Sequence, residues 1–397
     1  MTESNQSIEY STIGILSLAH MLNDMYSNYL PQMLPFLVAA TALNATKAAI
    51  LVSAFTISSS FIQPVFGYFL DRQGKRWLVH VGTLWMAIML SLTGLVNNYL
   101  LLVILASLAG LGTAAFHPQA STMITVVSGD RKAVLLSTFI AFGNIGFALS
   151  PLILVPLFQN YGLRATIYTI IPGIIVALLL YFFAPNNHVL RGGTTPPTLA
   201  EVWLSLLKAR QELLAITSVI AIRALAYTGL LTILPLYFHA QHLSSITSSH
   251  LVFIMLFAGA IGGILGGYIS DRFGRKPLTI GSLVLATPCF YGFLYTNGTL
   301  SVVFLALAGA CLLSSFSVTV VAAQEAIPNN KSLAAGLTMG FAGGVGGLLV
   351  IPIGRIGDLY GLSTSISVLF LLPLLAGLTA LFMRNRPAAN AQRIAAR

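Results

Sequence analysis

Twelve long apolar stretches, separated by polar or Gly/Pro-rich breaks, run along the 397-residue chain at about 11–38, 47–70, 77–96, 99–127, 133–159, 162–183, 213–239, 248–270, 277–296, 299–326, 332–358 and 362–383. A hydrocarbon core about 30 Å thick is crossed by roughly 20 apolar residues in helical form. The pattern therefore predicts an all-α membrane protein with twelve transmembrane helices. One connection, 184–212, is longer and more polar than the rest, with the Gly, Pro, Thr and scattered charge of a linker. It separates an N-terminal six-helix half (1–183) from a C-terminal one (213–397).

The halves echo each other. Gly67-Tyr-Phe-Leu-Asp71-Arg72-Gln-Gly74-Lys75-Arg76 follows the second span, and Gly267-Tyr-Ile-Ser-Asp271-Arg272-Phe-Gly274-Arg275-Lys276 follows the eighth, 200 positions later. Tyr161-Gly-Leu-Arg-Ala-Thr-Ile opens the sixth span and Tyr360-Gly-Leu-Ser-Thr-Ser-Ile the twelfth. The order of these echoes predicts parallel repeats of one six-helix unit.

Composition and charge sharpen this picture. Hydrophobic residues make up 56% of the chain and charged ones 8%, against roughly 25% charged in soluble domains. The lipid bilayer is therefore an expected partner. The net charge of +10 comes from residues parcelled into short loops, not massed on one face as nucleic acid would require. With both termini placed in the cytoplasm, sixteen of the twenty Lys and Arg fall on the cytoplasmic side, three (Lys47, Arg164, Arg355) outside, and Arg223 within a span. The N-terminus lacks the features of a signal peptide, so the first span is expected to be retained. Cys289 and Cys311 lie in apolar segments and read as packing residues.

Twelve spans in two parallel halves, with this loop motif after the second and eighth, resemble the major facilitator superfamily of secondary transporters. The resemblance implies a substrate site near the bilayer midplane between the halves, alternating access by rocking, a monomeric protein and a small-molecule substrate. It also implies that Asp71 locks the halves on the cytoplasmic side by capping a helix of the opposite half, span eleven, with Arg72 and Arg76 in the same network. Gly67 would allow close helix approach. Asp271 and Arg272 hold the matching places in the second half; alternatively, these charges are topological anchors.

The sharpest chemical signal is in span one. His20, Asn23, Asp24 and Ser27 follow i, i+3, i+4, i+7 spacing and are expected on one helical face, with Tyr26 beside them. A carboxylate at the bilayer centre costs roughly 2.5–3.5 kcal/mol on insertion scales. Asp24 must therefore be paired, protonated or beside water. Desolvation disfavours its charged form and a nearby cation favours it, which would let it exchange a proton as its surroundings alternate; the other reading is a structural polar pair. Span four adds Gly110-x-Gly112-x-x-x-Phe116-His117-Pro118-Gln119, with an imidazole and a helix-distorting proline at similar depth. His117 reads either as a partner of Asp24 or as a satisfied core histidine. Together the two segments resemble the fosmidomycin resistance protein group of bacterial efflux transporters. That resemblance implies drug efflux by proton exchange across a bacterial inner membrane, with Asp24 and His117 taking part. Gln119 stands where the group's pattern has an acid.

Arg223, with Tyr227 one turn on, is a cation inside span seven and needs a carboxylate, a carbonyl or an anionic ligand. It would pair with Asp24, or receive a phosphonate or carboxylate through its planar fork. His20, Asn23, Tyr26, Gln63 and Asn144 join Arg223 and Tyr227 as the candidates for substrate binding; Thr56, Ser59, Ser60 and Gln324 read as interhelical hydrogen bonders. Glu325 is left between solvated, gate-pairing and transport roles. The glycines around 340–347 lack the strand and Gly-Lys-Ser/Thr of a phosphate loop, and read as helix-packing residues, as do Gly143 and Gly146. His239, His242 and His250 lack nearby acids or cysteines, so no metal site is expected there. No cofactor fingerprint or catalytic constellation appears, so an enzyme is not expected. The leading expectation is a proton-coupled exporter of small amphipathic or anionic compounds. The rivals are a proton-coupled importer of an organic anion and a non-transporting membrane receptor.

Overall fold

The computed structural model describes residues 9–41, 43–73, 76–128, 132–185, 199–328, 334 and 336–385. Span one is two helices, α1 (Tyr10–Ser27) and α2 (Tyr29–Thr41). The step falls at Asn28 because Pro31 has no N–H for the carbonyl of Ser27. Asn28 is braced there: its side chain donates to the Phe147 carbonyl (3.0 Å), and its own carbonyl accepts from Ser150 (3.2 Å). Spans two to five are α3 (Ala45–Gln73), α4 (Trp77–Thr93), α5 (Tyr99–Val127) and α6 (Lys132–Tyr161); span six is a 3₁₀ turn, Leu163–Thr169, running into α7 (Ile170–Phe183).

The second half follows with α8 (Leu199–Ala240), α9 (Ser245–Phe273), α10 (Arg275–Tyr295) and α11 (Gly298–Ala326). α8 begins earlier than the apolar pattern suggested. Residues 199–212 contain no Gly or Pro and are good helix formers, so the second part of the expected linker continues span seven outward as one helix roughly 63 Å long at 1.5 Å per residue. The rest of the linker, 186–198, lies outside the described residues. Span eleven is broken where glycine is densest, into a π-helical turn (Gly336–Ala342), α12 (Gly343–Leu348) and α13 (Val350–Tyr360). α14 (Leu362–Thr379) and a 3₁₀ turn (Ala380–Phe382) form the last span.

Among the described residues there is no strand, and ten helical stretches are long and apolar enough to cross a membrane. α4 is a shorter apolar helix, and α1–α2 falls out of that set because it is interrupted and carries the polar residues of the site. Tyr161, Tyr268, Tyr295 and Tyr360 are exposed near span ends, as interfacial aromatics are.

Contacts divide the chain into two compact units. One is Met1–Thr41 with Ala54–Pro196; the other is Ala42–Ser53 with Pro197–Arg397. The internal echo recurs in backbone and side chain. Gly162 and Gly361 both turn with positive φ (74° and 89°), a conformation that favours glycine, and both donate their N–H to a carbonyl four residues back. Arg76 donates to the Tyr181 carbonyl, and Lys276, 200 residues later, donates to the Leu381 carbonyl at 2.6 Å. In each unit a basic residue of the loop motif thus braces the C-terminal end of that unit's last span, where the helix dipole favours a cation.

Candidate functional site

α1, α5 and α6 bring three titratable side chains together in the first unit. His117 Nε2 lies 3.1 Å from Asp24 Oδ1, and His20 Nε2 lies 3.4 Å from Asp24 Oδ2. The carboxylate is mostly buried, with 17% of its side chain exposed. His20 stacks on Phe139 of α6 with centroids 4.0 Å apart and meets His117 edge-on at 5.1 Å.

The tautomer of His20 is fixed from behind. Its Nδ1 lies 2.8 Å from the carbonyl oxygen of Phe139, which can only accept, so Nδ1 carries hydrogen. A neutral His20 then turns an unprotonated Nε2 toward Asp24. Two facing lone pairs repel, so the favourable form of this contact holds a proton on Nε2 or on the carboxyl. His117 can donate from Nε2, which leaves its buried Nδ1 without a hydrogen-bond partner.

Room for the cluster depends on Gly143 of α6. A Cβ there would stand 2.5 Å from His20 Cε1 and 2.7 Å from Nε2, and closer still to Asp24 Oδ2. The sequence reading assigned Gly143 to helix packing alone. Gly146, one turn on, does serve packing, lying against the Met21 backbone.

The expected single face of α1 splits in two. Asn23 and Asp24 are adjacent and so about 100° apart around the helix. Asn23 is fully buried toward α4, donating to Thr83 Oγ1 (3.0 Å) and to the Ala19 carbonyl (2.9 Å). Ser27 Oγ donates to the Asn23 carbonyl at 3.0 Å. Tyr26, also fully buried, donates its hydroxyl to the Thr169 carbonyl and ties α1 to the start of span six. Gln119 is 1% exposed, and its buried amide nitrogen has no partner. Gln63 is half-buried on α3; Asn144, next to Gly143, is exposed.

In the second unit Arg223 is 3% exposed, its Nε and one terminal nitrogen have no hydrogen-bond partner, and its guanidinium lies 4.7 Å from the centroid of Phe316 on α11. Phe316 was not among the sequence candidates, because one aromatic in an apolar span gives no signal. Tyr227, half-buried, follows one turn along α8. At the second copy of the loop motif, Arg275 holds Asp271, Ser270 (2.7 Å) and Glu325 (3.4 Å) together, and Arg272 stacks over Phe273 at 5.7 Å. Glu325 is thereby placed in an ion-pair network within its own unit. Gly67, Asp71 and Arg72 belong to the last turns of α3, whose side chains lie outside the described residues.

His20, Asp24 and His117 also offer ligand atoms that all lie within 4.8 Å of one another. Each imidazole, however, meets a different oxygen of Asp24, as in two separate hydrogen bonds, and one ion would have to draw the three atoms onto a single point. His239, His242 and His250 are exposed and form no such group among the described residues.

Residues 16–350 match the sequence profile of the Major Facilitator Superfamily. The fosmidomycin resistance protein of Escherichia coli (strain K12) is 28% identical, with 95% of this chain and 94% of that one aligned. An uncharacterized MFS-type transporter, YfnC of Bacillus subtilis (strain 168), is 31% identical, covering 92% and 91%. Among solved structures, nucleoside transporter NupG in a mutant form shares the fold with a TM-score of 0.77 at 15% identity, covering 94% of this chain and 99% of that one. A bacterial homolog of the human lysosomal transporter Spinster gives 0.72 at 14% identity, covering 93% and 95%. With twelve membrane helices in two echoing halves and a profile match over most of its length, the chain belongs to the major facilitator superfamily of membrane transporters.

Proposed function

We propose that this transporter exports small amphipathic or anionic compounds in exchange for protons, with Asp24 as the proton carrier and the two imidazoles as its partners. The observation that carries this reading is the His20–Asp24–His117 cluster. Its His20 contact is favourable only with a proton in place, and that proton has both a carboxylate and an imidazole to occupy. Efflux is favoured by the likeness to the fosmidomycin resistance protein, aligned over nearly the whole of both chains. In this reading the chain lies in a bacterial inner membrane with both termini cytoplasmic and acts as a monomer. Asp71, with Arg72 and Arg76, serves the cytoplasmic gate.

Arg223 supplies the recognition of anionic groups. A buried guanidinium with unmade hydrogen bonds and one face held on Phe316 is oriented to receive a carboxylate or phosphonate edge-on. Tyr227, Gln63 and Asn144 complete the proposed substrate contacts, whereas Asn23 and Tyr26 act through α1 by fixing its rotation.

Proteoliposomes with an imposed pH gradient and fosmidomycin as probe test the coupling. Asp24→Asn should abolish uphill movement while leaving downhill exchange intact; full gradient-driven transport by this variant would remove Asp24 from the role. A deletion strain that loses growth on an organic acid, with no gain in drug sensitivity, would point to import instead.

A further inference from the structure

His20 and Asp24 stand one turn apart on the same face of α1, and His117 reaches Asp24 from α5. Two ligands at i and i+4 of one helix, joined by a third from another element, is how zinc sites are built on helices. Ligand atoms that surround a tetrahedral zinc ion at its usual bond lengths lie about 3.3–3.5 Å from one another. Here His117 Nε2 and Asp24 Oδ1 are 3.1 Å apart, and His20 Nε2 and Asp24 Oδ2 are 3.4 Å apart. The spacing is already that of a coordination shell. A carboxylate that turns both oxygens to one ion joins the two imidazoles at a single centre, since one ligand atom from each residue lies within 4.8 Å of the others.

The first ligand is also held from behind. The Phe139 carbonyl accepts from His20 Nδ1 at 2.8 Å, and the Phe139 ring stacks on the imidazole at 4.0 Å. Metal-bound histidines are oriented in this way, with the second ring nitrogen donating to a carbonyl or carboxylate. The Nε2 lone pair is thereby aimed at Asp24, and a metal ion that accepts from both atoms turns their opposition into two bonds. Gly143 leaves the space. The three nearest neighbours of a Cβ there would all be atoms of His20 and Asp24, with Nε2 at 2.7 Å, so any other residue would fill the volume beside these two ligand atoms.

Two neutral imidazoles and one carboxylate suit zinc and its borderline neighbours, whereas magnesium and calcium take oxygen ligands. The three side chains are 10%, 17% and 21% exposed, which leaves access for a water as fourth ligand.

We propose that His20 Nε2, the Asp24 carboxylate and His117 Nε2 form a binding site for a zinc-class divalent cation, which takes the place of the shared proton. This goes beyond the proposed transport role and is read by bound metal without any gradient, so failure of either idea leaves the other standing. The test uses the full chain in lipid nanodiscs with the exposed His239, His242 and His250 replaced by Gln. Co2+, as a spectroscopic substitute for zinc, should bind at one ion per chain with the strong visible bands of a four-coordinate site. Zn2+ should displace it and excess Mg2+ should not. Asp24→Asn and His20→Gln should each weaken Zn2+ binding by at least about tenfold, a loss that even an outer-sphere partner typically causes. Gly143→Ala, which keeps all three ligands, should do the same. Binding unchanged by Asp24→Asn would mean an adventitious ion only and overturn the proposal, as would the weak bands of six-coordinate cobalt. If the variants fail to fold, labelling with diethylpyrocarbonate on the intact cluster supplies the second measurement. Zn2+ should slow modification of His20 and His117 severalfold relative to His80, because a coordinated nitrogen has no free lone pair. Equal rates with and without Zn2+ would overturn the site.

Discussion

His20 has one ring nitrogen committed to a backbone carbonyl and the other facing a carboxylate, so its environment leaves a place for one shared proton. Gly143 permits that contact. Gly143→Ala should therefore reduce transport at least tenfold while the protein still reaches the membrane, because the added methyl displaces His20 or Asp24; forcing extra volume into a packed interior costs about 1–3 kcal/mol, readable as a lower melting midpoint. His117→Ala should be milder than Asp24→Asn in a pH-gradient assay, since it removes one partner and leaves the other. Arg223 offers the opposite trade. Its buried guanidinium has unmade hydrogen bonds, and replacing a buried charge by an apolar residue of similar volume is often neutral or stabilising by about 1–4 kcal/mol. Arg223→Met should accordingly leave thermal stability unchanged or raised and weaken the apparent affinity for anionic substrates, whereas a fall in stability with transport intact would assign the residue a purely structural role. The residue types were legible from the sequence; Gly143, Phe139 and Phe316 were not, because a glycine, a backbone carbonyl and one phenylalanine are unremarkable until folding sets them against a charge.

Among the elements, α1 shows how far periodicity reaches. A carboxylate, an amide and two hydroxyls on adjacent turns announce a polar stripe, but a helix turns about 100° per residue, and neighbouring helices decide which polar group meets which. α4 takes Asn23, the start of span six takes Tyr26, and α5 with α6 takes His20 and Asp24. The repeated loop motif gains a concrete mechanical part. Arg76 and Lys276 each hold the carboxyl end of their unit's last span. Lys276→Ala should destabilise the twelfth span by about 0.3–1 kcal/mol, the usual value of a cation at a helix C-terminus, and raise deuterium uptake at 378–383; uptake that does not change would leave the contact without energetic weight. α8 shows the reverse limit. Its added turns came from residues that a linker reading had set aside, because helix propensity continues past the edge of the apolar pattern.

On the scale of the whole molecule, duplication and charge bias act together. The proposed orientation, with both termini cytoplasmic, puts sixteen of the twenty basic residues on the cytoplasmic side, so a reporter fused after Arg397 should be active only as a cytoplasmic fusion; an active periplasmic reporter would reverse that orientation. The sequence by itself determined the spans, the two echoing halves and the identity of the buried ionisable residues. Those follow from the cost of placing polar groups in hydrocarbon, which each stretch of chain bears locally. Only the tertiary structure decided that His117 shares Asp24 with His20, that Gly143 makes the space, and that Arg223 rests on Phe316. Each of these joins helices that are distant along the chain, and their rotation and approach are set by packing against one another, which no single helix encodes.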